Sequence, residues 1–421
     1  MLILQLNRGC EKDIPTEPLL APESCVMPLF SPAKSPVLDW CSARQRAQQR
    51  LPRLVFDFIE GGTGRERACA RNCEALEDIR LQPRVLADVA SRRQTVRLLE
   101  EEYDAPFGVA PMGMCNLTWP GADRALAKEA LARNIPLAVS SASSSRLEDI
   151  QEWTEGRAWF QLYVGQSVDF ALSLVDRAAA AGYRHLILTA DVPELARRAR
   201  DIRNGFQVPF RIGPKQAWDF ATHPHWSIAT LRHGLPSPAN FDRGEDGQRF
   251  DRNASRAGAT WEFLERLREK WTGILVLKGV TCAQDALHAK ELGVDAIYVS
   301  NHGGRQLDSV PAAIDILPKI RNAVGDNYPL LFDSGVRSGE DVAKALACGA
   351  NFVMFGRPLL HALGADGPRG LGAILDIVGQ ELDIVMAQLG VCSVPEFGTH
   401  NIAADEIARY QSVAEAANAA E

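Results

Sequence analysis

The sequence predicts an α/β chain closed into a (β/α)8 barrel of the TIM type, with a helical segment ahead of it and a long inserted loop after the fourth strand. Three observations predict this. Eight short apolar runs lie between residues 107 and 357, segments of helical composition separate them, and the runs are continuously apolar, as strands buried on both faces of a parallel sheet are. Eight strand-and-helix units is the number that closes such a barrel. An open doubly wound sheet is the competing architecture, but no GxGxxG follows the first run.

Residues 1–36 carry six prolines and no sustained periodicity, and read as an irregular N-terminal arm. A largely helical stretch follows from Leu38 to Ile59, broken at Pro52 and closed by Gly61 and Gly62. The barrel runs are FGVAPM (107–112), PLAVSS (136–141), WFQLYV (159–164), HLILTAD (185–191), GILVLKG (273–279), AIYVSN (296–301), LLFDSG (330–335) and FVMFGR (352–357). Segments such as 123–134, 168–182, 283–293 and 339–349 supply the helices between them. About 80 residues separate the fourth and fifth runs, where the other units take about 20 to 35. Residues 205–258 therefore form the inserted loop, and loops of this length are usually functional. Its prolines and its mixture of aromatic and basic residues suit a lid, a partner surface or an interfacial membrane contact. The alternative is a solvated loop that packs a few aromatics on the barrel. A helical extension follows the last strand, and 406–421 reads as a C-terminal tail.

Forty-six Lys and Arg stand against 53 Asp and Glu, a formal charge of −7 with no basic tract. Nucleic acid is thereby excluded as a partner. No run approaches the roughly 20 apolar residues that cross a bilayer, and the N-terminus breaks its apolar run too early for a secretory signal, so the chain is expected in the cytoplasm. Nine scattered cysteines, with Cys69 and Cys73 the only CxxxC spacing, read as reduced structural thiols rather than a disulfide framework or zinc site. No metal is expected.

In barrels of this kind the active site is built at the carboxyl ends of the strands. Those ends carry Met112-Gly113, Ser140-Ser141, Gln161 with Tyr163, Thr189 with Asp191, Lys278, Ser300-Asn301-His302, Asp333 to Arg337, and Gly356-Arg357. The last two groups follow strands seven and eight, where such barrels commonly bind phosphate: Gly335 and Gly356 would let backbone N–H groups approach an oxyanion, and Arg337 or Arg357 would add charge. NHGGRQLD (301–308) puts His302 beside Arg305 in one turn. A histidine with a neighbouring cation suits proton removal near an anionic substrate whose carboxylate Arg305 would hold. Asp191 either orients that imidazole or caps the next segment. Lys278, ending an apolar strand, needs an anionic partner at the barrel mouth, a cofactor ring among the options, or else reaches solvent. RRARDIRNGF (197–206) offers a second carboxylate clamp.

These motifs resemble the FMN-dependent α-hydroxy acid dehydrogenases and oxidases. The resemblance rests on LPRLVFDFIEGG (51–62), WFQLYV, TADVPELARRARDIRNGF (189–206), VLKGV (276–280), VSNHGGRQLD (299–308), DSGVRSGEDVAKALACGA (333–350) and FGRP (355–358). It spans about residues 37–405, one FMN domain, and THPHWSIATLRHGLPSPANF (222–241) points to the mandelate-oxidising branch, whose long loop is implicated in membrane attachment. The resemblance implies FMN as cofactor and an (S)-2-hydroxy acid, mandelate-like, as substrate. It implies His302 as the base, Asp191 stabilising the imidazolium, Arg198 and Arg305 on the carboxylate, and Tyr163 bonding the substrate. Lys278 would stand by the flavin N1 and C2 carbonyl. Met112, Gly113, Ser140, Gln161, Thr189 and Ser300 would line the ring, while Asp333, Ser334, Gly335, Val336, Arg337, Gly356 and Arg357 hold ribityl and phosphate. It further implies a quinone as electron acceptor, a homotetramer, and a location in the cytoplasm or peripheral on the cytoplasmic face of the inner membrane.

Several departures stand out. The family's substrate-binding tyrosine is Phe58 here, its PTG or PTA stretch is Pro111-Met112-Gly113, and its acidic segment after the glycine pair is Thr63-Gly64-Arg65-Glu66. Ala142 stands where short-chain oxidases carry tryptophan and leaves room for an aryl group. Gly113, where oxidases commonly have alanine, leans towards a dehydrogenase. The other readings are an L-lactate dehydrogenase or oxygen-using oxidase, a flavin-free phosphate-binding lyase or isomerase, and an inactive barrel scaffold.

Overall fold

The computed structural model describes residues 35–165, 167–208, 210–241 and 256–404. Most of the expected 1–36 arm and the whole 406–421 tail lie outside the described residues.

Asp39 opens helix α1 (Trp40–Arg50) by accepting from the Ser42 amide, a side-chain cap that satisfies one of the first-turn donors. Pro52 separates it from α2 (Arg53–Glu60), and α3 spans Arg67–Glu77. A short antiparallel hairpin of β1 (Val96–Leu98) and β2 (Glu101–Tyr103) follows. The barrel then runs β3 (Phe107–Met112), α4 (Ala122–Ala132), β4 (Leu137–Ser140), α5 (Leu147–Trp153), β5 (Trp159–Leu162), α6 (Val168–Ala180) and β6 (His185–Thr189). Helices α7 (Ala199–Asn204), α8 (Pro214–Ala221), α9 (Pro224–His233) and α10 (Trp261–Lys270) lead to β7 (Ile274–Val280). The circuit ends with α11 (Ala283–Glu291), β8 (Ala296–Val299), α12 (Ala313–Val324), β9 (Leu330–Phe332), α13 (Gly339–Ala347), β10 (Phe352–Phe355) and α14 (Arg357–Leu389).

The eight strands β3 to β10 form one closed barrel in sequence order, with β10 pairing β3 in parallel. All eight expected runs are strands, because each is a continuous apolar segment buried on both faces. Their outward residues pack against the surrounding helices, whereas Ala110, Ala138, Trp159, Ile187, Val276, Tyr298, Leu331, Phe352 and Met354 fill the interior together with Leu98 and Tyr103 of the hairpin. The hairpin thus plugs the amino end of the barrel, with Trp159 Nε1 donating to the Tyr103 hydroxyl at 3.3 Å. The ligand site is left to the opposite end.

The insertion departs from the expected loop. Residues 214–221 and 224–233 are helical, and Pro214 and Pro224 sit in their first turns. A proline there has no amide to lose and its fixed φ suits the helix, so two of the prolines that read as irregularity are helix starts. The insertion also ties back to the body: Asp219 accepts from the Arg53 and Leu54 amides at the start of α2, and the buried Trp226 donates to the Leu117 carbonyl at 2.8 Å.

Candidate functional site

Side chains on a strand return to the same face every second residue. Two residues beyond the interior positions Ala110, Ala138, Trp159, Ile187, Val276, Tyr298, Leu331 and Met354 stand Met112, Ser140, Gln161, Thr189, Lys278, Ser300, Asp333 and Gly356. One inward step up the barrel therefore exchanges an apolar layer for a largely polar one. Above it opens a cleft lined by Met112, Gly113, Ser140, Tyr163, Lys278, His302, Asp333 to Arg337, Gly356 and Arg357, with Phe58, Arg198 and Arg305 on the same wall system.

His302 follows β8 in a left-handed conformation, φ 56°, an uncommon state for a residue with a Cβ and one that accumulates at functional sites. Its Nδ1 lies 3.0 Å from Asp191 Oδ1. A carboxylate only accepts, so Nδ1 carries the proton and the Nε2 lone pair faces the cleft, 3.5 Å from the Tyr163 hydroxyl. Burial lowers the His302 pKa below its ordinary value, and the neighbouring Asp191 charge only partly offsets this. The imidazole is accordingly neutral near pH 7. Gly279, at φ 99°, lets Asp191 approach: a Cβ there would lie 2.5 Å from the Asp191 Cβ.

Lys278 is 3 % exposed, which removes the solvent-reaching alternative. It donates to Ser300 Oγ at 2.6 Å and to Asp333 Oδ2 at 2.9 Å. Burial would raise the Asp333 pKa, but Lys278 and the Ser300 hydroxyl outweigh it and hold the carboxyl below its ordinary value. The partner that an inward lysine requires is therefore, in the first place, Asp333. The ladder shifts register between Lys278 and Val280, a bulge of the kind that re-aims a side chain beside an active site.

Arg305 and Arg357 share an anchor at the carboxyl end of α2. Arg305 Nη1 donates to the Ile59 and Gly61 carbonyls at 3.2 and 2.7 Å, and Arg357 Nε donates to the Ile59 carbonyl at 3.1 Å. The negative end of a helix suits two cations. Burial depresses the Arg305 pKa, and the nearby Arg198 and Arg357 charges add to the effect, so a carboxylate placed among them would be strongly favoured. Arg198 is buried where α7 begins. Phe58 stacks on Phe206 at 4.3 Å, and the Arg305 guanidinium lies 5.5 Å from its ring.

Four of the expected residues do not line the cleft directly. Asp191 stands behind His302, Ser300 behind Lys278, and Gln161 and Thr189 are buried at the rim of the barrel. The insertion supplies four wall residues the sequence did not single out, Phe206, Val208, Pro238 and Arg256. The Arg256 guanidinium lies 4.8 Å from the Tyr163 ring, while burial pushes the Tyr163 phenol up to about 12. Aromatic and proline content marked this segment as unusual, but nothing in its pattern says which side chains return to the barrel mouth.

Gln161 Nε2, Thr189 Oγ1 and Arg337 Nε are buried and make no hydrogen bond among the described residues. A buried donor left so costs about 1–3 kcal/mol, and such groups in native proteins meet a partner. Two of them lie in the polar layer and one at the Gly335 turn, where Gly335 at φ 98° passes so close to α3 that a Cβ would lie 2.4 Å from the Asn72 carbonyl oxygen. A flat ring with a polar edge, joined to an anion at the Arg337 end, answers all three.

Residues 47–404 match the family model described as FMN-dependent dehydrogenase. The chain is 36% identical over 352 residues to (S)-mandelate dehydrogenase of Pseudomonas putida, covering 82% of this chain and 89% of that relative. It is 36% identical over 361 residues to L-lactate dehydrogenase of Pseudomonas syringae pv. syringae, covering 84% and 95%. The crystal structure of the monotopic membrane protein (S)-mandelate dehydrogenase superposes with a TM-score of 0.83 at 34% identity, over 87% of this chain and 98% of that one. The unpartnered polar groups fit the FMN that this family carries, and the chain belongs to the FMN-dependent dehydrogenases.

Proposed function

We propose that this enzyme oxidises an (S)-2-hydroxy acid of the mandelate type to the 2-oxo acid, with His302 as the base, and that residues 37–405 form one FMN domain. The observation that carries the reading is the Asp191–His302 pair, with the Nε2 lone pair facing a cleft that also holds Arg198 and Arg305. FMN, when bound, supplies the two-electron acceptor, and the protein's share is binding, orientation and proton handling. Arg198 and Arg305 take the substrate carboxylate, Tyr163 bonds the substrate oxygen, and His302 Nε2 receives its proton. Asp191 then faces a full imidazolium, which its charge stabilises. Met112, Gly113, Ser140, Gln161 and Thr189 border the ring, Lys278 with Ser300 and Asp333 stands at its electron-rich edge, and Ser334 to Arg337 with Gly356 and Arg357 hold ribityl and phosphate.

The apolar wall of Phe58, Leu195, Phe206, Val208 and Pro238, with the small Ala142 nearby, supports an aryl side chain. An L-lactate substrate is the second reading, favoured by the lactate dehydrogenase relative at the same identity. We further propose a quinone as acceptor and peripheral attachment to a membrane through the insertion. No helix among the described residues is long and apolar enough to span a membrane, yet Ile212, Trp218, Ile228, Leu231 and Leu235 are exposed close together in sequence, and a structural neighbour is a monotopic membrane protein. A homotetramer is supported by the family resemblance alone.

Anaerobic mixing with (S)-mandelate, L-lactate and glycolate tests the reading. (S)-Mandelate is expected to bleach the flavin fastest, and His302→Ala to abolish bleaching while FMN stays bound. Fast bleaching by the variant would remove His302 as the base, and a preference for glycolate would remove the aryl assignment. Reoxidation by oxygen against a quinone decides the acceptor.

A further inference from the structure

Behind the Gly335 turn lies a partly buried series of polar groups, centred on the buried His361, that the proposed reaction does not use. Trp40, the first residue of α1, places its ring 4.8 Å from the Arg337 guanidinium carbon. Its Nε1–H donates to His361 Nδ1 at 3.1 Å. His361 lies in α14 one turn beyond Arg357, is fully buried, and stacks on Phe56 at 5.7 Å. Because Nδ1 accepts, the ring proton sits on Nε2, which lies 3.2 Å from Glu60 Oε2, an electrostatic contact without the alignment of a hydrogen bond. Glu60 in turn takes the Arg44 guanidinium at 2.7 Å.

Burial lowers the His361 pKa, so the ring is neutral, and the same region holds Glu60 well below the ordinary carboxylate range against burial through His361 and Arg44. A fully buried imidazole with no catalytic part is costly unless its nitrogens are used, and here each faces a specific group. Among the described residues the Arg337 guanidinium donates only through Nη1, to the Val336 carbonyl at 2.8 Å, so the indole face is the surface that fixes its plane.

We propose that Glu60, His361 and Trp40 form a positioning relay that fixes the indole ring beneath Arg337 and thereby sets how tightly the site holds the phosphate of FMN. The inference rests on the assignment of Arg337 to that phosphate. None of the three is a catalytic residue, since each acts through the next.

The test titrates the full chain, stripped of flavin, with FMN and with riboflavin, which shares the ring and ribityl but lacks the phosphate. The wild type should prefer FMN, and Arg337→Ala should erase most of that preference. His361→Phe keeps an aromatic ring against Phe56 and removes both polar contacts, and Glu60→Gln keeps the side-chain shape while removing the charge. Each is expected to weaken FMN about tenfold, the loss of one contact to a charged group, with riboflavin affinity within about twofold of wild type. Equal weakening of both flavins would show a merely structural role and overturn the relay, as would unchanged FMN affinity in both variants. Should His361→Phe fail to fold, Glu60→Gln alone decides. Retained FMN preference in Arg337→Ala would instead overturn the phosphate assignment beneath it.

Discussion

At the scale of single residues, chemistry depends on which side of a proton each group lies. His302 is held neutral because burial outweighs the Asp191 charge, so the base is ready at pH 7 and is lost only when pH falls through a pKa below the ordinary imidazole value of about 6.5. The acidic limb of a kcat/KM profile with pH should therefore lie below that value. Asp191→Asn removes the charge that raises the His302 pKa, so the limb should move to still lower pH while the plateau falls about 100-fold, the scale of a positioned acid–base contribution; a limb that moves up would contradict the arrangement. Phe58 makes a second case. It stacks on Phe206 beside Arg305, and Phe58→Tyr should lower KM about threefold to tenfold by adding one hydrogen bond to the bound acid, read by steady-state kinetics. Most site residues were legible, because period two on a recognisable strand gives the inward position two residues past the last apolar one. Asp191 was legible only as one of two options, since its approach to His302 depends on Gly279 and on two strand ends meeting in space.

Among the elements, the insertion carries the difference between pattern and fold. Its large apolar side chains divide: Trp226 and Phe241 are buried against the barrel, whereas Trp218 and Leu231 remain 74 % and 84 % exposed. The buried pair fits the reading of a loop that packs a few aromatics on the barrel, and the exposed pair leaves the membrane contact as the proposal made above. If the exposed side chains enter a lipid surface, Trp218→Ser with Leu231→Ser should reduce sedimentation with anionic vesicles by about tenfold or more, given roughly 1.5–3 kcal/mol per buried large side chain, and leave anaerobic flavin reduction unchanged. Undiminished sedimentation would place the contact elsewhere. The helices themselves were hidden by proline, which marks breaks inside a helix and starts at its first turn; only neighbouring residues decide between the two. Hairpin β1–β2 was missed for a related reason, since three-residue strands leave no periodicity to read and their stability comes from Leu98 and Tyr103 entering the barrel.

For the whole molecule, one closed barrel has its amino end plugged and its carboxyl end opened into a polar layer. Arg198, Arg305 and Arg357 repel one another there, and Gln161, Thr189 and Arg337 hold buried donors without a partner among the described residues, so FMN should act as a structural partner. At FMN a hundredfold above its Kd the holoenzyme should be more stable than the stripped chain by about 2.7 kcal/mol, visible as a higher thermal midpoint that rises with FMN concentration. A midpoint insensitive to FMN would mean that the site is fully formed without it. The sequence by itself determined the barrel, its eight strands and the layer from which most cleft residues come, because continuous apolar runs and strand-end positions are local patterns. It also determined membership of the FMN-dependent dehydrogenases through motifs at those ends. Only the tertiary structure decided that Lys278 pairs with Asp333, that the α2 carbonyls hold both Arg305 and Arg357, that Trp40 lies under Arg337, and which insertion side chains return to the cleft. These contacts join residues tens to hundreds of positions apart, and no local periodicity encodes a distance that exists only once the barrel has closed.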